Sequence, residues 1–164
     1  MIVEMTAKAE LDSLDRKLLR LLATAGRASY QALAAAVGLS RPAVMERVKR
    51  LEAAGFITGY GARVNRAKAG YPVTAFVAVR YANSAYAGDE PQMRALERHP
   101  GVLECHHVAG EDCYILKVAA PDLERLENVL RHLRGSATTP VSTRTTIVLG
   151  TVFEKPGFVP AEPD

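Results

Sequence analysis

Residues 29–55, SYQALAAAVGLSRPAVMERVKRLEAAG, hold two helix patterns separated only by Gly38-Leu39-Ser40. Leu33 and Val37 set the inner face of the first pattern. Ser29 can accept from its free N-terminal amides, and Gly38 can end it, because glycine turns left-handed without a Cβ clash. Ser40 caps the second pattern, and Pro42 stands in its first turn, where a missing N–H costs nothing. Val44, Val48 and Leu51 then form one apolar stripe up to Gly55. Upstream, Leu14, Leu18, Leu21, Leu22 and Ala25 recur at helical spacing, with Asp12 or Ser13 as cap and Asp15 and Gly26 fitting the two ends. Three short helices in about forty residues, the last two joined by a tight glycine turn, predict a helix-turn-helix unit.

Working outward, Phe56 to Asn65 with Gly55, Gly59 and Gly61 reads as an extended linker, which puts a domain boundary near residue 65. From Tyr71 the period changes. Val73–Tyr81 is a strand, Pro91–His99 a short helix, and Val102–Ala109 and Cys113–Ala119 are strands flanking a Gly110-Glu111-Asp112 turn. Asp122–Arg134 is an amphipathic helix on Leu123, Leu126, Val129, Leu130 and Leu133, and Ser142–Val152 is the last strand. The order β-α-β-β-α-β is ferredoxin-like. The expected fold is therefore α+β: a winged-helix-like helix-turn-helix domain, then a ferredoxin-like βαββαβ domain. Its limits are a leader over 1–11, the helix-turn-helix over 12–58, a linker strand over 59–70, the βαββαβ domain over 71–152, and a tail over 153–164 carrying Pro156, Pro160 and Pro163. Val73, Ala75, Val77 and Val79 point to one side of their strand and Phe76 and Ala78 to the other. Two helices cover one face of such a sheet, so the second apolar face calls for the same sheet of a second copy.

Composition narrows the function. A chain of 164 residues, 48% hydrophobic and 24% charged, suits one medium domain or two small ones and excludes a large multi-domain enzyme. No apolar run approaches the roughly 18 residues of a membrane span, and MIVEMTAKAE lacks a secretory apolar core, so a cytoplasmic protein with no membrane partner is expected. Cys105 and Cys113 are too few for a disulfide framework and are taken as thiols. The net charge is +3, but residues 1–65 carry +4 and residues 66–164 carry −1, so a polyanion belongs with the first part. No GxSxG, P-loop, GxGxxG or HExxH occurs, and neither a catalytic site nor a cofactor is expected.

On the third helix the stripe places Pro42, Glu46 and Lys49 opposite the core and Met45 and Arg50 on the flanks. Ser40, Arg41 and Ala43 lie at the N-terminal end, the part of a recognition helix that meets base edges. Arg47, Lys49 and Arg50, with Arg27 before the second helix, are the candidates for phosphate contact. The plain alternative is that these charges only solvate a helix surface. Cys105, His106, His107 and Cys113 invite a metal, but alternation along a strand puts His106 on the face opposite Cys105 and His107, so no metal site is expected. His99 reads as a helix end and His132 as an exposed helix residue.

Several phrases together point to a family. LDSLDRKLL, GRAS, VGLS, ERVKRLE and GFITGY resemble the N-terminal domain of the leucine-responsive regulators, Lrp/AsnC, also called feast/famine regulators. ECHHVAGEDCYILKV followed by STRTTIVL is similar to that family's amino-acid-sensing domain, and the resemblance covers about residues 11–152. It implies a transcription regulator that binds double-stranded DNA, dimerises through its C-terminal sheets, and assembles further into tetramers or octamers, with Gly59–Val64 pairing across the dimer. It also implies an effector amino acid between dimers, touching Val108, Gly110, Glu111, Asp112, Cys113 and Tyr114 with Thr143, Thr145 and Thr146 nearby. A carboxylate there can hold an α-ammonium, while amides and hydroxyls receive the carboxylate. The commoner family pattern has Asp where Cys113 stands, which leaves Glu111 or Asp112 to replace it, or a different effector or none. Two alternatives share this architecture: an amino-acid-sensing oligomer without DNA function, and an enzyme resembling the sirohaem decarboxylases, with His106 or His107 toward a tetrapyrrole.

Overall fold

A computed structural model describes residues 10–81, 90–136, 140–155 and 157–158. The chain forms two compact units, Met1–Arg63 with Phe153–Asp164, and Val64–Val152. Most of the expected leader and Pro156, Pro160 and Pro163 of the tail lie outside the described residues.

The first unit is built on α1 (Ser13–Thr24), α2 (Tyr30–Val37) and α3 (Arg41–Ala53). Asp12, one of the two caps open for α1, and Ser29 and Ser40 are the N-caps. The Asp15 amide donates to Asp12 Oδ1 at 2.7 Å and the Asp12 amide to Asp15 Oδ2 at 3.3 Å, a reciprocal capping box. Ser29 accepts from the Ala32 amide at 3.1 Å and Ser40 from the Ala43 amide at 3.4 Å. Gly38 ends α2 at φ 73°, a left-handed value that glycine adopts freely. Leu18, Leu33, Ala34, Val37, Val44, Val48 and Leu51 form the buried core, and Leu11, Leu14, Leu22 and Ile57 pack on its edge. This is the helix stripe of the sequence turned inward.

In the single chain residues 57–65 carry no regular element and residues 66–70 make a turn, and the linker strand expected over 59–70 is one that pairs with a second copy. A strand needs a neighbour for its amides and carbonyls, and none runs alongside in a single chain. Tyr60 instead folds back on α3, its hydroxyl donating to Glu52 Oε1 at 2.8 Å; burial and that carboxylate push the phenol up to about 12.

In the second unit β1 (Val73–Tyr81), α4 (Glu90–Ala95) with a 3-10 turn (Leu96–Arg98), β2 (Val102–His107), β3 (Tyr114–Ala120), α5 (Leu123–Ser136) and β4 (Val141–Ile147) follow one another. The sheet is antiparallel in the order β2-β3-β1-β4, the ferredoxin-like arrangement. Ala75, Val77, Val79 and Tyr81 of β1 and Leu116 and Val118 of β3 are buried in one cluster with Met93, Leu96, Leu126, Val129, Leu130 and Leu133 of the helices. At Gly101 a Cβ would stand 2.8 Å from the Ala119 carbonyl, so only glycine lets the two backbones meet there. β4 stops at Ile147, five residues before the expected end at Val152, because β1 begins at Val73 and the Val148 amide already reaches the Thr74 carbonyl. Beyond that rung there is no partner. β2 likewise ends at His107 rather than Ala109.

The other face of the sheet is open in one chain. Phe76 is 43% exposed, with Ala78 and Ile115 half-buried beside it and Arg80, Lys117 and Arg144 around them.

Candidate nucleic-acid interface and effector site

Along α3, Val44, Val48 and Leu51 are buried, while Arg41, Pro42, Met45, Glu46, Lys49 and Arg50 are exposed and Ala43 and Arg47 are half-buried. Ser40 caps the helix through its hydroxyl. Arg27, Arg41 and Lys49 form no ion pair with another described residue and can meet an external anion at no internal cost.

Arg47 and Arg50 differ from that expectation. Arg47 Nη1 donates to Asp12 Oδ2 at 2.5 Å and to Asp15 Oδ1 at 2.8 Å, and Arg50 Nη2 donates to both Asp15 oxygens at 2.8 and 2.7 Å. The Asp15 side chain is 2% exposed, and a carboxylate so buried needs paired charge and hydrogen bonds. The two arginines therefore tie α3 to the first turn of α1 and are not free phosphate ligands. The wheel held a partial signal, since Arg47 sits one step from the apolar stripe and faces a neighbouring helix; its partner, 32 residues away, had none. For Asp12, partial burial pushes the carboxyl up, but the Asp15 amide and Arg47 outweigh it and hold it below the usual range. The bonds to Asp12 and Asp15 in turn raise Arg47.

The effector residues divide. At the β2–β3 hairpin the Val108 amide donates to the Cys113 carbonyl at 3.0 Å, and the Cys113 amide to the Val79 carbonyl at 2.8 Å; Gly110 turns at φ 135°. Glu111 and Asp112 carry the charge there, but both are engaged. Arg80 Nη2 lies 2.8 Å from Glu111 Oε2 and 3.7 Å from Asp112 Oδ1, and Arg144 Nη2 lies 2.9 Å from Asp112 Oδ2. No local signal in the sequence marks these arginines; the cross-strand pairing of Ala78 with Arg144 and Arg80 with Ser142 brings them together. Tyr114 is not at the tip: it is buried, stacked on His107 at 5.0 Å and edge-on to Tyr81 at 6.3 Å. Thr143 and Thr145, opposite Val79 and Val77, face the helices. Thr146, opposite Phe76, faces the open side, so the three threonines do not line one pocket with the hairpin.

The histidines and cysteines are spread out. His106 Nε2 lies 3.2 Å from Glu104 Oε2, while Glu104 Oε1 accepts from Lys117 Nζ at 3.2 Å; His107 is turned to Tyr114, and Cys105 is exposed. His99 accepts from the Gly101 amide at 3.1 Å through Nδ1 and lies 6.0 Å from the His132 ring. Among the described residues no group of three or more His, Cys, Asp or Glu side chains converges, and no helix is long and apolar enough to cross a membrane.

Two family models match this arrangement: the AsnC-type helix-turn-helix domain over residues 11–52, and the Lrp/AsnC ligand binding domain over residues 74–158, more than half of the chain. The chain belongs to the Lrp/AsnC family of transcription regulators. It is 40% identical over 150 residues to the HTH-type transcriptional regulator LrpA of Mycobacterium tuberculosis, covering 92% of this chain and 97% of that one. It is 36% identical over 121 residues to the leucine-responsive regulatory protein of Escherichia coli, covering 74% of each. A feast or famine regulatory protein from M. tuberculosis, solved in complex with L-methionine, superimposes with a TM-score of 0.83 at 40% identity, covering 92% of this chain and 100% of that one. An Lrp/AsnC chain with this site chemistry is a regulator and not an enzyme, which retires the tetrapyrrole reading of His106 and His107.

Proposed function

We propose that this Lrp/AsnC chain contacts DNA through residues 12–58, is held in register by residues 59–70, and senses an amino acid and assembles through residues 71–152. The observation that carries the DNA reading is the exposed face of α3, where Arg41 and Lys49 stand uncommitted at the end and side of a recognition helix. Ser40, Arg41, Pro42 and Ala43 meet base edges, Met45 and Glu46 line the groove, and Lys49 and Arg27 take phosphates. Two copies joined by their open sheet faces present two such helices to successive major grooves, and pairs of dimers build tetramers or octamers. The working place of such a regulator is the cytoplasm.

The effector reading rests on the hairpin quartet of Arg80, Glu111, Asp112 and Arg144. It is electrically neutral and outward facing. An amino acid is a zwitterion, and exchange of partners lets its ammonium meet Asp112 or Glu111 while its carboxylate meets Arg144 or Arg80. The solved relative with L-methionine supports an amino acid as the ligand class. Coupling of about 1–3 kcal/mol, a 5- to 150-fold change in DNA affinity, is the size such linkage takes.

Fluorescence anisotropy on a duplex from upstream of its own gene and on a scrambled duplex, over a range of salt and with a panel of amino acids, tests both parts. Tight, salt-sensitive binding that prefers the native duplex is expected. Lys49→Ala should lower the slope of log affinity against log salt by about 0.9, one phosphate contact, on both duplexes. Loss of affinity on one sequence only would remove Lys49 from the backbone contacts.

A further inference from the structure

Two carboxylates of α1 and two guanidinium groups of α3 form a closed set, but its members are unequally held. Asp15 is buried and accepts three bonds from the arginines, one from Arg47 and two from Arg50, besides the one from the Asp12 amide. Asp12 has a side chain 47% exposed and holds Arg47 by a single bond. One nitrogen of Arg47, Nη1, is thus shared between a buried anion that positions it and a solvated one that tethers it. A DNA phosphate approaching this flank of α3 offers Arg47 what Asp12 offers it, an anionic oxygen at the surface. From the same place Asp12 also repels that phosphate.

We propose that Asp12 is a specificity-determining residue that competes with the DNA backbone for Arg47. The inference rests on α3 being the DNA-facing helix. Sequence-independent affinity is almost wholly electrostatic, whereas base readout is not. An internal anion that occupies Arg47 therefore subtracts from binding to every duplex. On the correct site, base contacts draw α3 deep enough for phosphate to displace Asp12. On a wrong site they do not, and the tether stays closed. Asp12 thereby widens the ratio of specific to non-specific binding, while Asp15 keeps the arginine positioned in both states.

Asp12→Asn isolates the charge, since asparagine is as good an N-cap as aspartate and the first turn of α1 is retained. Expected is tighter binding to the scrambled duplex, with an extra factor of about 3 in affinity gained between about 200 and about 50 mM salt, the increment of one added phosphate contact. The native-to-scrambled ratio should fall. Combined with Arg47→Ala, Asp12→Asn should have no further effect on the salt slope. An unchanged slope, with only the melting temperature altered, makes Asp12 a plain cap and overturns the proposal. So does a full Asp12→Asn effect in the Arg47→Ala background, which would be general repulsion. Wild-type protein that binds no duplex at low salt removes the DNA face of α3 itself, and this inference with it.

Discussion

At the scale of single residues, Asp15 has the most consequential surroundings in the helical unit. It is the only buried charged side chain among the described residues, and its bonds reach three directions: the Asp12 amide, Arg47 and Arg50. Replacing it by asparagine keeps the shape and removes the charge, leaving Arg47 with one weakened partner. Arg50, 59% exposed, can turn to solvent, so the cost stays below that of a fully buried broken pair. Asp15→Asn should lower stability by about 1–3 kcal/mol in urea denaturation. A change under about 0.5 kcal/mol would mean that the arginines, and not the helix packing, gain from the pairing. The residue types at this cluster were visible as helix-end and phosphate candidates. Their pairing was not, because it joins positions 32 and 35 apart through the angle between two helices.

At the scale of elements, the caps and stripes of α1, α2 and α3 stood in the sequence because each depends on residues within four positions. Strand ends did not, because they depend on where a neighbour begins. β4 ends with the last rung that β1 can supply, and the segment after Gly55 stays without strand structure for lack of any neighbour. Gly101 belongs to the same class: its need for glycine comes from the Ala119 carbonyl, which β3 delivers from 18 positions on. Gly101→Ala forces a Cβ against a backbone atom that cannot swing away. It should cost about 1–3 kcal/mol, as overpacking does. Hydrogen exchange of the Ala119 amide, which donates to the Gly101 carbonyl at 2.8 Å, should accelerate; unaltered exchange and stability would show that the turn relaxes freely.

At the scale of the whole molecule, the open face of the sheet is the surface on which the proposed assembly can be tested. Phe76 is large, apolar and exposed, and Ala78 on the same strand and Ile115 on the neighbouring one continue the surface. Such a patch marks an interface, and a sheet offers a self-complementary one. Phe76→Asp points away from the helical core, so it should leave the fold intact by circular dichroism while sedimentation shifts from dimer or larger to monomer. DNA affinity should fall with it, because linked binding of two recognition helices is lost. A variant that still sediments as wild type would move the interface off this face.

The helix-turn-helix, the βαββαβ order and the basic bias of the first part were legible in one dimension. Each follows from local periodicity, caps and charge that survive in one dimension. Helix packing decided which of the phosphate candidates form no ion pair with another described residue, Arg27, Arg41 and Lys49, and which are claimed, Arg47 and Arg50 by Asp12 and Asp15. The tertiary structure also decided that Arg80 and Arg144 attend the hairpin acids and that the threonines of β4 divide between two faces. Ion pairs and faces are set by distances between residues remote in the chain. Those distances exist only once the helices have packed and the strands have taken their register.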